Sequence, residues 1–109
     1  MYTAKVEEGI ENEMYYLLTY DVEADYFKRR EAYRDEHLKL ARAACEKGEL
    51  RLGGALTEPN AGAMLLFEGV SANAAEEFAK HDPYVIHGLV KHWHVQEWAI
   101  VIGAGVEPI

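Results

Sequence analysis

Apolar and polar residues alternate along the chain in a way that predicts four strands and two helices. Short runs rich in aromatic and aliphatic side chains favour strands, and they are found at 14–21, 50–56, 61–68 and 91–102. Apolar residues recur at helical spacing in two further stretches, 26–47 and 72–80. The first strand is apolar on both faces, which is typical of a central strand in a sheet.

The first helix is predicted to run from Tyr26 to Lys47, with Asp25 as its N-cap and Gly48 as its C-terminal cap. One face of this helix carries the residues that recur every three, four or seven positions, namely Phe27, Arg34, Leu38, Ala41 and Cys45. We expect the single cysteine on this face to be a small core residue rather than a reactive thiol.

Turn residues at 57–60 predict a hairpin between the second and third strands. Gly53 and Gly54 are unusual in the interior of a strand. They indicate a bulge, or a place where another group approaches the backbone closely, or tight packing against a helix.

The second helix is expected to begin after Ser71 and to bury Ala75, Phe78 and Ala79. It ends before Pro83, which cannot continue a helix and which holds Asp82 out of helical geometry. Pro83 suits the first position of a further short helix, which would extend to about Leu89.

The order strand, helix, strand, strand, helix, strand predicts an α+β fold of the ferredoxin-like βαββαβ type. Its four-stranded antiparallel sheet would carry both helices on one face. The other face is rich in Tyr, Leu, Met and Trp side chains, and an apolar face of that size implies a partner or a ligand. A second copy related by a two-fold axis is the simplest partner, so we expect a homodimer and leave further assembly open.

Composition narrows the class of protein. The chain has 109 residues, the size of one domain, and its formal net charge of −8 argues against binding to nucleic acid or to an anionic membrane surface. No apolar run approaches the ~18 residues of a transmembrane helix, and the pattern of a signal peptide is absent, so a cytoplasmic protein is expected. Residues 1–13 are acidic, and we expect them to be an extension outside a domain at 14–109.

Short motifs give the chain from Met14 to Gly103 a family likeness. They are MYYLLTYD, Arg34-Asp-Glu-His37-Leu38, Gly48-Glu-Leu50, Gly53-Gly54, Phe67-Glu-Gly, Asp82-Pro83-Tyr84, Gly88-Leu89 and Val95-Gln-Glu-Trp98. In order and spacing they resemble the YCII-related (YciI-like) family of the dimeric α+β barrel superfamily. The resemblance implies two ferredoxin-like subunits that close into a barrel, with a pocket between sheet and helices in each subunit.

The same resemblance implies an active-site pair and a range of activities. By motif position the pair is His37 and Asp82. One relative is a dehydrochlorinase that acts on a chlorinated hydroxyquinol, and related dimeric barrels include muconolactone isomerases and small monooxygenases. The chain departs from the family pattern in its acidic N-terminal extension and in the additional histidines His92 and His94.

His37 and Asp82 have the chemistry of a general acid–base pair. Histidine titrates near neutral pH, and a carboxylate bonded to one ring nitrogen fixes the tautomer. Arg34, one helical turn before the histidine, would bind an anionic group of a substrate. Three tyrosines would donate hydrogen bonds to a substrate oxygen, namely Tyr16, Tyr20 and Tyr84. Elimination, isomerisation or hydration of an activated ring or lactone needs no cofactor.

Each of these residues also has a structural interpretation. Asp82 before a proline is a favourable N-cap, and His37 could be a hydrogen-bonded core histidine. Arg34 could pair with Glu31, Asp35 or Asp82.

His92 and His94 share one face of the last strand, a spacing that can support a metal site with His81 or His87 as a third ligand. Histidines at the surface or in an interface are the commoner case, so we assign no metal.

Three functions stay open at this stage. The first is a cofactor-independent lyase or isomerase that acts on an aromatic or lactone metabolite by proton transfer through His37 and Asp82. The second is a non-catalytic dimer that binds a small molecule or a protein in the same pocket. The third is a cofactor-free monooxygenase of the same superfamily. Imidazole and carboxylate within hydrogen-bonding distance beside an open pocket would favour the first.

Overall fold

Four strands form one antiparallel sheet in the computed structural model, which describes residues 13–105. The strands are β1 Met14–Val22, β2 Leu50–Leu56, β3 Gly62–Gly69 and β4 Val90–Trp98. They lie in the order β2-β3-β1-β4, with antiparallel pairing throughout, which confirms the predicted ferredoxin-like α+β fold. β1 is central, as its two apolar faces predicted. Predictions for residues 1–12 and 106–109 lie outside the described part of the chain.

The helices pack on one face of this sheet. They are α1 Tyr26–Arg29, a turn of 3₁₀ helix at Arg30–Ala32, α2 Arg34–Glu46, α3 Asn73–His81 and α4 Pro83–Ile86. Side chains from this face and from the helices form the main core, which includes Leu18, Tyr20, Leu65, Phe67 and Tyr84. The buried residues of α3 are the predicted Ala75, Phe78 and Ala79. Within residues 13–105 none of the helices has the length and apolar character needed to cross a membrane.

The prediction of one continuous helix over 26–47 is wrong, because the chain breaks at Tyr33 (φ −119°, ψ 3°). The amide of Tyr33 donates to the carbonyl of Arg30 at 2.9 Å and closes the 3₁₀ turn, while its carbonyl accepts the amide of His37 at 3.0 Å. No glycine or proline lies at or near this position, and the apolar residues keep their helical spacing on both sides of it. The sequence pattern therefore does not reveal the break. The break makes Arg34 the first residue of α2 and sets His37 at the end of the first turn.

The two caps predicted for this segment differ in outcome. Asp25 occupies the N-cap position of α1, as predicted, but its side chain makes no capping hydrogen bond. Its carboxylate lies 3.6 Å from the guanidinium of Arg29 instead. Gly48 is confirmed as the C-terminal cap, with a φ of 78°. Its amide and that of the next residue donate to the carbonyls of Cys45 and Ala44, a Schellman motif that requires a left-handed residue.

Cys45 is exposed, so the prediction that it is a core residue is wrong. Ala44 is the buried residue of α2, and Leu38 and Ala41, on the cysteine's side of the helix, are only partly buried. That side of α2 borders a cleft and does not pack closely against the sheet.

The irregularity in β2 lies before the glycine pair. The pairing register with β3 shifts between Leu50 and Leu52, so the bulge is not at Gly53 and Gly54. Gly53 is closely packed, since a Cβ built on it would lie 3.1 Å from Cγ of Leu65. The neighbour is the adjacent strand, whereas the packing interpretation expected a helix.

α3 begins at Asn73, whose amide donates to the hydroxyl of Ser71 at 3.2 Å. The N-cap position of α3 is occupied by Ala72. Ser71 lies one residue before it and still accepts a backbone N–H from the first residue of the helix. α4 begins at Pro83 as predicted and ends at Ile86, three residues early, because the chain turns at Gly88 with a φ of 79°.

The C-terminal segment partly covers the face of the sheet opposite the helices. β4 ends at Trp98, four residues earlier than predicted, because Ile100 packs on Tyr15 and Leu66 and forms a second small core with them. Three large apolar side chains stay exposed on this face, namely Leu52, Leu56 and Trp98. The homodimer that this face suggests stays a prediction.

Candidate active site

Asp82 lies between α3 and α4 and is fully buried. Its backbone is extended (φ −70°, ψ 124°), because the following Pro83 disfavours helical geometry there. Its Oδ1 accepts the backbone N–H of Tyr84 at 3.0 Å, which makes it the N-cap of α4. The prediction that Asp82 serves as an N-cap is therefore confirmed.

Two side chains from other elements also bind this carboxylate. Nδ1 of His37, on α2, is 3.0 Å from both Oδ1 and Oδ2. The hydroxyl of Tyr20, on β1, donates to Oδ2 at 2.7 Å. Capping of α4 and pairing with the histidine are therefore compatible, and Asp82 does both.

The imidazole of His37 is held by aromatic rings at the wall of an open cleft. It stacks on Tyr84, with ring centroids 4.1 Å apart and planes 13° from parallel, and it meets the edge of Phe78 at 6.2 Å. Its side chain is 16 % exposed, so it is neither sealed in the core nor on the open surface. Because Nδ1 faces Asp82, Nε2 is the nitrogen available to a molecule in the cleft, and the residues between 13 and 105 give it no hydrogen bond.

The cleft has a volume of about 310 Å³ and lies between α2 and the β2–β3 half of the sheet. The strand side is apolar, with Leu50, Ala63 and Leu65 among its lining residues. The helix side carries Arg34, His37 and Arg42, with Arg30 and Tyr26 from the preceding segment. The arrangement suits a small molecule with an apolar body and polar or charged substituents.

Burial raises the pKa of the two tyrosines next to Asp82. The effect is larger for Tyr20, where the negative charge of the carboxylate adds to the effect of burial. Burial raises the pKa of Tyr84 to about 12, and the positive charges of Arg30 and Arg34 act in the opposite direction. Both phenols are therefore protonated at neutral pH, and the hydroxyl of Tyr20 donates its proton in the hydrogen bond to Asp82.

Two of the four residues predicted to bind substrate, Arg34 and Tyr84, line the cleft beside His37. Tyr20 is buried, and its hydroxyl is bound to Asp82. Tyr16 is buried in the main core and is not part of the cleft lining. The structure thus brings the arginine and one tyrosine to the cleft and sets the other two tyrosines behind it.

Sequence patterns did not single out three other lining residues, Tyr26, Arg30 and Arg42. In the continuous helix that the spacing predicts, Arg30 and Arg34 would lie on one side, so the sequence carries a signal for this pair, although the helix breaks between them at Tyr33. Arg42 lies two further turns along the same side of α2.

His92 and His94 are exposed on the open face of the sheet, on the opposite side from the cleft. His81 and His87, considered as third ligands, lie at the ends of α3 and α4. Across residues 13–105 there is no group of three or more His, Cys, Asp or Glu side chains that could hold a metal ion.

A family model for the YCII-related domain matches residues 14–99. The chain belongs to the YCII-related family. The match covers almost all of the segment in which the motifs resemble this family, and it includes both His37 and Asp82. Among curated proteins nothing matches the chain.

Solved structures that share the fold include enzymes. A 5-chloro-2-hydroxyhydroquinone dehydrochlorinase (TftG) from Burkholderia phenoliruptrix AC1100, in complex with 2,5-dihydroxybenzoquinone, superposes with a TM-score of 0.68 at 20 % identity, over 80 % of this chain and 95 % of that chain. A candidate antibiotic biosynthesis monooxygenase from Bacteroides thetaiotaomicron superposes with a TM-score of 0.53 at 14 % sequence identity, over 85 % of this chain and 93 % of that chain. A NIPSNAP family protein from Agrobacterium tumefaciens superposes with a TM-score of 0.53 at 10 % sequence identity, over 90 % of this chain and 99 % of that chain. At these identities the likeness concerns the fold.

Proposed function

We propose that the protein is a small lyase or isomerase that acts on an aromatic or lactone metabolite by proton transfer through His37 and Asp82. The observation that carries this proposal is the contact of His37 Nδ1 with both oxygens of a buried carboxylate, beside an open cleft. A histidine held in this way is oriented and has one ring nitrogen left for chemistry.

The carboxylate of Asp82 accepts the Nδ1–H of the neutral imidazole, so Nε2 carries the lone pair that takes a proton from the substrate. The imidazolium that forms lies 3.0 Å from that carboxylate, which stabilises its charge. In an elimination, the electrons of the broken bond to hydrogen form the new double bond, and the leaving group departs with its own bonding pair. In an isomerisation, Nε2 returns the proton to a different atom.

The likeness to the dehydrochlorinase supports the elimination version of this proposal. That protein is named for the loss of chloride from a hydroxylated ring, and it was solved with a dihydroxybenzoquinone. The cleft of the present chain has the volume and the apolar strand side that a ring of this size requires. Such a reaction removes a proton and a chloride ion and needs no external oxidant or reductant, so we expect no cofactor.

Arg34 and Tyr84 are proposed to position the substrate, because both line the cleft next to His37. Tyr20 is proposed to position Asp82, because its hydroxyl donates to Oδ2 at 2.7 Å. Tyr16 has no such place in the proposal, since it is buried in the core outside the cleft.

A homodimer is proposed as the working form. Leu52, Leu56 and Trp98 are 62 %, 44 % and 47 % exposed on the open face of the sheet, and a second copy would remove them from water. The measurement is sedimentation of the purified protein, with a species of twice the chain mass as the expected result and a monomer as the contrary one. A cytoplasmic location stays an expectation.

The test of the activity measures chloride release from 5-chloro-2-hydroxyhydroquinone and proton exchange of muconolactone in D₂O. Wild-type turnover should fall by about 10²- to 10⁴-fold in His37→Gln, the range that general acid–base catalysis contributes. His81→Gln is the matched control, since this exposed histidine lies outside the cleft. Full activity of His37→Gln would contradict the proposal.

Two other results of the same panel would assign a different function. Binding of the panel compounds without turnover would favour the non-catalytic dimer. Oxygen uptake with an electron-rich phenol would favour the monooxygenase. A candidate monooxygenase is among the solved structures with a similar fold.

A further inference from the structure

The cleft concentrates positive charge in a protein whose formal net charge is −8. Three of the chain's five arginines line it, namely Arg30, Arg34 and Arg42. The other two lie elsewhere, and each has a carboxylate partner: Arg29 pairs with Asp25 and Arg51 with Glu68. Among residues 13–105 no carboxylate forms an ion pair with any of the three cleft arginines, so their charges are left for a ligand.

Arg30 is held in place and carries an unsatisfied donor. Its guanidinium carbon lies 4.8 Å from the ring centroid of Phe27 and 5.8 Å from that of Tyr26, so two aromatic rings fix its position. Its Nε is buried and has no hydrogen-bond partner. A buried donor without an acceptor is destabilising, and an oxygen of a bound molecule would remove that cost.

Arg30 and Arg34 act at the end of the cleft that holds His37. The positive charges of both lower the pKa of Tyr84 against the effect of burial, and the Tyr84 ring stacks on the imidazole at 4.1 Å. Arg42 lies eight residues beyond Arg34, which is about 12 Å along a helix. The cation pair next to the imidazole is therefore separate from the third cation.

Apolar side chains fill the space between these two ends. Leu38 and Ala41 of α2 face the cleft between the arginines, and Leu65 lines it from β3. A ligand with a charged group at Arg30 and Arg34 would therefore lay its carbon skeleton against hydrocarbon, with one edge beside His37.

We propose that the cleft binds an organic monoanion, a carboxylate on a small ring, with the carboxylate between Arg30 and Arg34 and the ring against Leu38, Ala41 and Leu65. This assignment names the substrate class of the proposed enzyme and so rests on the proposed function for its biological meaning, although binding itself requires no turnover. Planar guanidinium groups match a carboxylate in geometry as well as in charge.

The test is an NMR titration of the full chain with benzoate and with benzamide, which have the same ring and nearly the same size but differ in charge. Benzoate is expected to bind the wild type at least about tenfold more tightly than benzamide, and the difference should shrink as salt is added. Arg34→Gln should remove most of the preference for benzoate.

Three further variants locate the anion. Lys39→Gln removes one positive charge from an exposed position of the same helix, outside the cleft, and should leave benzoate affinity within about twofold. Arg42→Gln should cost less than about threefold, because this side chain lies at the other end of the cleft. Arg30→Lys keeps the charge but loses the Nε donor, and it should weaken benzoate binding if it folds, as judged by circular dichroism.

Equal affinity for benzoate and benzamide, or an Arg34→Gln variant no weaker than Lys39→Gln, would overturn the assignment. A larger loss in Arg42→Gln than in Arg34→Gln would overturn its location. These outcomes leave proton transfer by His37 and Asp82 standing. Conversely, a clear preference for benzoate supports the anion site even if no tested compound is turned over.

Discussion

His37 and Asp82 are 45 residues apart in the chain, yet Nδ1 of the histidine is 3.0 Å from both carboxylate oxygens of the aspartate. Each side chain is placed by a local break in helical structure. The break at Tyr33 starts α2 and sets His37 in its first turn, and Pro83 extends the backbone at Asp82. The aspartate cannot be changed without affecting the cap of α4, the tyrosine on β1 and the tautomer of the imidazole.

Asp82→Asn should cost activity more than stability. The asparagine amide has one acceptor oxygen, whereas the donors around Asp82 now share two carboxylate oxygens. Its NH₂ group would donate to Nδ1 of His37, and this favours the tautomer with the proton on Nε2. We expect turnover to fall by about 10²-fold or more and the free energy of unfolding to fall by about 1–3 kcal/mol. Steady-state kinetics and urea unfolding measure the two effects.

The control for this variant is Asp35→Asn, on the exposed side of the first turn of α2. It should change neither quantity appreciably. An Asp82→Asn variant with the same turnover as Asp35→Asn would show that the carboxylate has no part in the chemistry.

Tyr20→Phe should destabilise the protein by about 1–3 kcal/mol, because it removes the O–H that donates to Oδ2 and leaves a buried acceptor one bond short. Tyr16→Phe is the matched control, since it removes a hydroxyl from the same face of the same strand without touching Asp82. Chemical denaturation compares the two. Equal losses in both variants would mean that the hydroxyl of Tyr20 has no special role.

Gly53→Ala and Gly54→Ala should behave differently although they are neighbours. A Cβ at Gly53 would lie 3.1 Å from Cγ of Leu65 and 3.4 Å from the carbonyl oxygen of Met64, whereas one at Gly54 would meet nothing within 4 Å. We expect Gly53→Ala to lower the free energy of unfolding by about 1–3 kcal/mol and Gly54→Ala to change it by less than about 0.5 kcal/mol. Thermal unfolding of both variants makes the comparison, and the reverse order would contradict the packing found here.

Stability should fall as the pH rises above 10. The phenol of an unfolded tyrosine titrates near pH 10, but burial raises the pKa of Tyr84 to about 12 in the folded state and that of Tyr20 as well. Below pH 10 both states keep these protons. Between pH 10 and 12 the unfolded chain loses them first, so the free energy of unfolding decreases.

Tyr84→Phe isolates one contribution to that decrease. The variant keeps the ring that stacks on His37 and lacks the titrating group, so its stability should decline less steeply than that of the wild type between pH 10 and 12. The difference should be about 2 kcal/mol at most. Urea unfolding across this range measures it, and parallel declines would show that the phenol is not buried in the folded state.

Most of the fold could be predicted because its strands and α3 carry regular apolar patterns. The bounds of β1, β2, β3 and α3 differ from the predicted ones by at most one residue. The end of β4 could not be predicted in this way, because Ala99–Ile102 is as apolar as the strand before it. Contacts of Ile100 with Tyr15 and Leu66 decide its path, and these arise only in the folded sheet.

The candidate site was partly visible in the sequence. Pro83 predicts the extended backbone at Asp82, and the family resemblance identifies His37. The cleft itself was not visible, because apolar spacing identifies one face of a helix without telling whether it meets the sheet or a cavity. For this reason the spacing predicts a buried Cys45, whereas the residue is exposed, and it does not identify Arg30 as a lining residue of the cleft.

The central claim is that Asp82 holds the proton of His37 on Nδ1 and leaves Nε2 as the base in the cleft. Nitrogen-15 NMR of histidine-labelled protein at neutral pH reports the protonation of each ring nitrogen, and His37→Gln assigns the signals. We predict that the neutral form of the imidazole carries its proton on Nδ1 and a bare Nε2, and that the Nε2 signal shifts when benzoate enters the cleft. A neutral form with its proton on Nε2, or an Nε2 signal unaffected by the ligand, would contradict this account.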